Sequence, residues 1–141
     1  MIPTSMKAKF STRLSAFTLT ELLVVLVIIG ILVLLALPKL MPLISKAKST
    51  EAQLQLTHLH TLEKSFFYMK SKYSNNSEEI GFEPEKLVTE GGTANYRIEI
   101  IEASASGFKA RATAVVDFNA DGKFNVWEID QDKNLVELTK D

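Results

Sequence analysis

The chain has 141 residues, with 16 Lys and Arg against 17 Asp and Glu, and no cysteine. That length holds one small domain and an additional segment. A net charge of -1 argues against a basic nucleic-acid binder and against an acidic tail, and the lack of cysteine excludes disulfides and thiolate metal sites.

Residues 1–16 form a short basic leader, with Lys7, Lys9 and Arg13 and no acid. The run Phe17–Pro38 follows, and no residue from Leu22 to Leu37 carries a polar side chain. As a helix, Phe17–Leu37 is about 30 Å long, the thickness of a bilayer's hydrocarbon core. Such a helix has no polar face for water, so it sits in lipid or in a bundle of its own copies. Ala36 has Val33 rather than a small residue three positions earlier, so signal-type cleavage after the run is not expected. The basic leader favours a cytoplasmic N-terminus, opposed by Lys39, Lys46 and Lys48 beyond the run.

Glu21 is the one charge at the start of this segment. Thr18-x-x-Glu21 is the spacing of a capping box, which would satisfy two helix-terminal amides. A carboxylate at membrane depth costs about 2.5–3.5 kcal/mol, less near the interface, which makes it a functional candidate as well. Gly30 and Pro38 bracket Ile31–Leu37. Pro38 removes a helical donor and clashes with the carbonyl of residue 34, so a kink is expected there, reinforced by Pro42.

From Lys39 to Tyr73 the pattern becomes amphipathic. Ala52, Leu56, Leu59, Leu62, Phe66, Met69 and Tyr73 recur at spacings of three and four and predict one buried face. Leu54 lies off that stripe. His58 and His60 point to different sides and are read as solvated. The helix is expected to end at the turn-forming cluster Tyr73-Ser-Asn-Asn-Ser.

Beyond a loop over 74–86 the period changes to two. Tyr96, Ile98 and Ile100 alternate with Arg97 and Glu99. Ala110, Ala112 and Ala114 alternate with Lys109, Arg111 and Thr113 within a strand expected over Phe108–Phe118. Strands over Phe124–Asp130 and Leu135–Leu138 complete an antiparallel meander whose one face receives the helical stripe. The fold class is therefore α+β. Its parts are a leader 1–16, an apolar transmembrane or assembly helix 17–44 and a head 45–141. The head holds a helix 45–73, a loop 74–86 and a sheet 87–141.

Asp117-Phe-Asn119-Ala-Asp121-Gly122-Lys123 with Glu128 fits the oxygen-ligand spacing of an EF-hand loop. Asp117, Asn119, Asp121, the Lys123 carbonyl and Glu128 would supply Ca2+ ligands. The flanking segments are strand-like, however, and Asn119, Asp121 and Gly122 equally suit a plain turn. Both readings stand on the sequence.

The stretch Ser15-Ala-Phe-Thr-Leu-Thr-Glu-Leu-Leu23 resembles the N-terminal signature of type IV pilins and type II secretion pseudopilins. The resemblance implies cleavage between Ala16 and Phe17 by a prepilin peptidase, with methylation of the new Phe17 amine. Ala16 stands where the family usually has Gly, and Thr20 where Ile is common. It also implies that Glu21 meets a Phe17 amine and fixes register between subunits, and that Gly30 and Pro38 shape the assembly helix. The expected function is a structural subunit of a pilus-like filament of like subunits. It would be held first in the inner membrane and served by a separate ATPase and platform protein. The alternatives are a pseudopilin of a secretion or DNA-uptake machine and an unprocessed membrane protein with a Ca2+-binding or ligand-binding head. The Pro-Trp-Gly type segment usual in major secretion pseudopilins is absent. An enzyme is not expected, since no nucleophile elbow or phosphate loop occurs.

Overall fold

The structure is a computed structural model that describes residues 15–141. The leader expected over residues 1–16 lies outside these, apart from Ser15 and Ala16. The chain divides into two compact units, one ending at Ala36 and the other covering Leu37–Asp141. Their secondary structure is a helix α1 (Leu19–Lys70), followed by strands β1 (Tyr96–Ala103), β2 (Phe108–Ala114), β3 (Val126–Asp130) and β4 (Leu135–Thr139). This is the α+β arrangement expected from the change of period.

In the first unit, every residue from Ser15 to Ala36 is exposed, including the whole apolar run that lies in it. Helical structure there comes from straight-chain and branched apolar residues with no internal proline until residue 38.

In the second unit α1 continues through Pro38 and Pro42. Each proline lacks an amide, so the carbonyls of Leu34 and Pro38 lose their usual helical donors. From Ser45 onward one face is buried, through Ser49, Ala52, Leu56, Leu59, His60, Glu63 and Phe66. Ala52, Leu56, Leu59 and Phe66 form the core with Phe108, Ala110, Ala112, Ala114 and Ile129. The three alanines alternate inward along β2, and their small side chains leave room for the larger residues of the helix.

The helix ends at Lys70, three residues before the expected turn. Ser71 adopts a left-handed backbone (φ 57°), and its amide bonds the Phe67 carbonyl at 2.7 Å. This ending changes two expectations. Met69 is 72 % exposed rather than part of the buried stripe. Tyr73 is buried, but it reaches the core from the segment after the helix, stacked on Phe67 at 4.7 Å and tilted against Phe108 at 5.1 Å. The Tyr73 amide meanwhile donates to the Ser104 carbonyl and fixes the chain to the β1–β2 turn.

The strands pair in chain order as an antiparallel meander. Within it Tyr96 faces Ala114, Ala112 faces both Ile98 and Trp127, and Ile129 faces Leu135. The sheet starts at Tyr96 rather than near residue 87. Before it, Val88–Glu90 makes a single turn of 3-10 helix, and Leu87 and Ala94 share one isolated bridge. β2 stops at Ala114 and β3 starts at Val126, both inside the limits read from alternation. The Val115 amide turns to the Asn95 carbonyl, and the chain between is shaped by its own side chains instead of a ladder.

His60 is a further correction. It is buried, with its ring 5.8 Å from Phe108 and Nε2 3.1 Å from the Gln131 carbonyl oxygen. His58 is exposed as expected.

Candidate functional site

The first candidate site is the start of α1. Thr18 and Glu21 satisfy one another reciprocally. The Thr18 amide donates to Glu21 Oε2 at 2.7 Å, and the Glu21 amide donates to Thr18 Oγ1 at 3.2 Å. The Thr18 hydroxyl donates back to the same Oε2 at 3.1 Å. Two orphan amides of the helix end are thus closed by local side chains. Phe17, next to this cap, is 87 % exposed, and Ala16 is exposed as well. The bond between Ala16 and Phe17 is therefore open to solvent. A Cβ placed on Gly30 would meet nothing within 4 Å, so packing inside a single chain does not require glycine there.

The second is the acidic loop between β2 and β3. Asp117 Oδ1 accepts the Asp121 amide and Oδ2 accepts the Gly122 amide at 2.7 Å. Asn119 Oδ1 also accepts the Asp121 amide, and Asp121 Oδ1 accepts the Lys123 amide. Ala120 (φ 61°) and Gly122 (φ 85°) take the left-handed turns that let one short segment curl round these side chains. Carboxylate oxygens of Asp117, Asp121 and Asp141 lie within 4.8 Å of one another.

Glu128, the last ligand of the calcium reading, is not part of this cluster. Glu128 lies in β3 and its Oε2 is held by Arg111, at 2.8 Å from Nη2 and 3.3 Å from Nε. Its carboxylate is thus engaged across the sheet by Arg111. Asp141 stands at the loop in its place: Oδ2 accepts the Phe118 amide and Oδ1 the Asn119 amide. The remaining donor set is all oxygen, which suits a hard divalent cation.

Sequence reasoning missed three polar side chains that hold the head together. Asn125 is buried, accepts from the Tyr96 hydroxyl at 2.7 Å, and donates to Glu137 Oε1 and the Thr139 carbonyl. It thereby joins β1, the entry to β3, and β4. Burial holds the Tyr96 phenol well above its ordinary pKa, with the Glu51 carboxylate adding to the effect. Glu51 grips Asn95 through both oxygens, each at 2.8 Å. Glu63 is fully buried, and its Oε2 accepts the Ser74 amide at 3.0 Å while Oε1 has no partner. Burial raises its pKa; the Ser74 amide opposes this and the Glu79 carboxylate adds to it. Asn125 and Glu63 look like ordinary turn and surface residues in the sequence, and no spacing marks them.

A long helix with an exposed apolar start, followed by a four-stranded antiparallel meander, is a pilin-like fold. Residues 13–37 match the family model for the prokaryotic N-terminal methylation motif. The chain is also 37 % identical over 115 residues to the type IV major pilin protein PilA of Myxococcus xanthus (strain DK1622). That match covers 82 % of this chain and 49 % of the relative, so the chain spans about half the relative's length. The protein belongs to the type IV pilin family.

Proposed function

We propose that the chain is a structural subunit of a type IV pilus-like filament. A prepilin peptidase cuts between Ala16 and Phe17 and methylates the new amine. The precursor waits in the inner membrane through Leu22–Leu37, with its N-terminus cytoplasmic, and then passes into a filament of like subunits at the cell surface. The observation that carries this reading is the apolar helix itself: every side chain from Phe17 to Ile44 is exposed in the single chain. Apolar surface on that scale calls for lipid or for sister helices. A filament interior is as apolar as lipid, so exchange between the two costs little.

Glu21 supplies the register. Once the chain is cut, a positive amine stands at Phe17, four positions from the carboxylate. Pairing between Glu21 of one chain and Phe17 of the next removes two buried charges and selects one axial position. Gly30, with open space around it, offers a close-approach point for a neighbouring helix. Loss of helical bonds over Ile31–Leu37, flanked by Gly30 and Pro38, belongs to the assembled state. A pilus is favoured over a secretion pseudopilus because the Myxococcus relative is a type IV major pilin.

The test is deletion of the gene, imaging of cells for fibres, and mass measurement of chains in purified filaments. Fibres are lost on deletion, and filament chains begin at a methylated Phe17. Filaments built from chains that still carry residues 1–16 overturn the proposal.

A further inference from the structure

The head contains a groove of about 390 Å³ between α1 and the last two strands. Its lining includes Ser45, Lys46, Trp127, Glu137, Lys140 and Asp141. Two of these carry polar atoms that are buried without a hydrogen-bond partner: Ser45 Oγ and Trp127 Nε1. Ser45 as a whole is only 7 % exposed. A tryptophan N–H can only donate, so this side of the groove asks for an acceptor. Lys46 and Lys140 add positive charge, and neither takes part in an ion pair among the described residues. The acids are differently placed. Glu137 already accepts from Asn125, and both Asp141 oxygens accept loop amides.

These four charged groups sum to zero, with unsatisfied donors beside the cations. The complementary ligand carries a phosphate and a cation together. Position in the chain narrows the source. Ser45 follows Leu37, the last residue of the apolar run, by eight positions, about 12 Å of helical rise. A lysine at that distance along α1 from the apolar run suits the head-group layer of a bilayer.

We propose that this groove binds the head group of a zwitterionic aminophospholipid while the chain resides in the membrane. The phosphate meets the Ser45 hydroxyl, the Trp127 indole N–H, Lys46 and Lys140. The ammonium lies toward Glu137 and Asp141. Both orphan donors are shielded from water, so binding includes a rotamer change of a long lining side chain, for which the exposed Lys46 and Lys140 have the freedom. The proposal rests on insertion of Leu22–Leu37 in a membrane.

Trp127 is the only tryptophan in the chain, so its fluorescence reports this groove alone. The full chain is reconstituted in phosphatidylcholine vesicles containing phosphatidylethanolamine or phosphatidylglycerol, and flotation is scored beside Trp127 emission. In detergent, short-chain phosphatidylethanolamine, phosphatidylglycerol and inorganic phosphate are titrated separately. Wild-type protein is expected to float, and its emission to shift saturably with phosphatidylethanolamine, more weakly with phosphatidylglycerol, and not with inorganic phosphate. The paired substitution Lys46→Gln with Lys140→Gln should weaken the response about a hundredfold, roughly tenfold for each charge-assisted bond lost, while flotation persists. Glu137→Gln should narrow the preference over phosphatidylglycerol. Flotation without any saturable Trp127 response overturns the groove proposal and leaves the membrane reading intact. Failure to float removes both. A Trp127 response that follows protein concentration without lipid assigns the groove to a second copy of the chain and overturns the lipid assignment.

Discussion

The Tyr96 hydroxyl donates to Asn125 Oδ1 at 2.7 Å inside the head, and the Asn125 amide passes the connection on to Glu137 and the Thr139 carbonyl. One buried amide thus holds the outermost strand of a sheet that has no disulfide to close it. Asn125→Ala is expected to cost about 2–4 kcal/mol, because the Tyr96 hydroxyl and the Thr139 carbonyl both lose a partner. Adding Tyr96→Phe should recover part of that loss. Thermal unfolding of both variants and the double variant gives the coupling; additive losses would mean the two groups do not act together.

At the start of α1 the cap and the charge of Glu21 can be separated. Glu21→Gln keeps an acceptor for the Thr18 amide but removes the charge. Membrane insertion should survive in both Glu21→Gln and Glu21→Ala, and filament assembly should fail in both. Glu21→Ala alone should also weaken the first helical turn, because the Thr18 amide loses its acceptor. Normal fibres from Glu21→Gln would reduce the residue to a helix cap.

The acidic loop predicts which residues control any response to calcium. Calcium is expected to raise the melting temperature of the full chain in detergent. Asp117→Asn and Asp141→Asn should each abolish that rise, because they remove charge from the cluster. Glu128→Gln should leave it in place, since Glu128 is occupied by Arg111. A melting temperature indifferent to calcium in the wild-type chain would leave the loop as turn chemistry alone.

Glu63 predicts a pH dependence with a definite sign. Its folded pKa is raised, chiefly by burial. A carboxyl of that kind contributes stability that is present below its unfolded pKa, about 4.3, and is lost as pH rises through the folded value. Glu63→Gln removes this titration and keeps an acceptor for the Ser74 amide. Relative to the variant, the wild-type chain should therefore lose stability as pH rises from about 4 to 8. Melting temperatures of the pair that run parallel across this range would refute it.

The amino-acid sequence by itself determined the apolar run, the Thr18–Glu21 cap, the helix-to-sheet change and the inward alanines of β2. These are local or periodic properties, and a period is visible without knowing what lies opposite. It misjudged the end of the helix, because the left-handed turn at Ser71 is set by Tyr73 reaching Phe67 and Phe108. It left Glu128 open between the acidic loop and a strand, since spacing cannot show that Arg111 lies across the sheet, seventeen positions away. Only the tertiary structure brought Asp141 to Asp117, His60 to Gln131, and Asn125 to Tyr96 and Thr139. Such pairings join residues distant in sequence, and their energy comes from burial that exists only once helix and sheet have met.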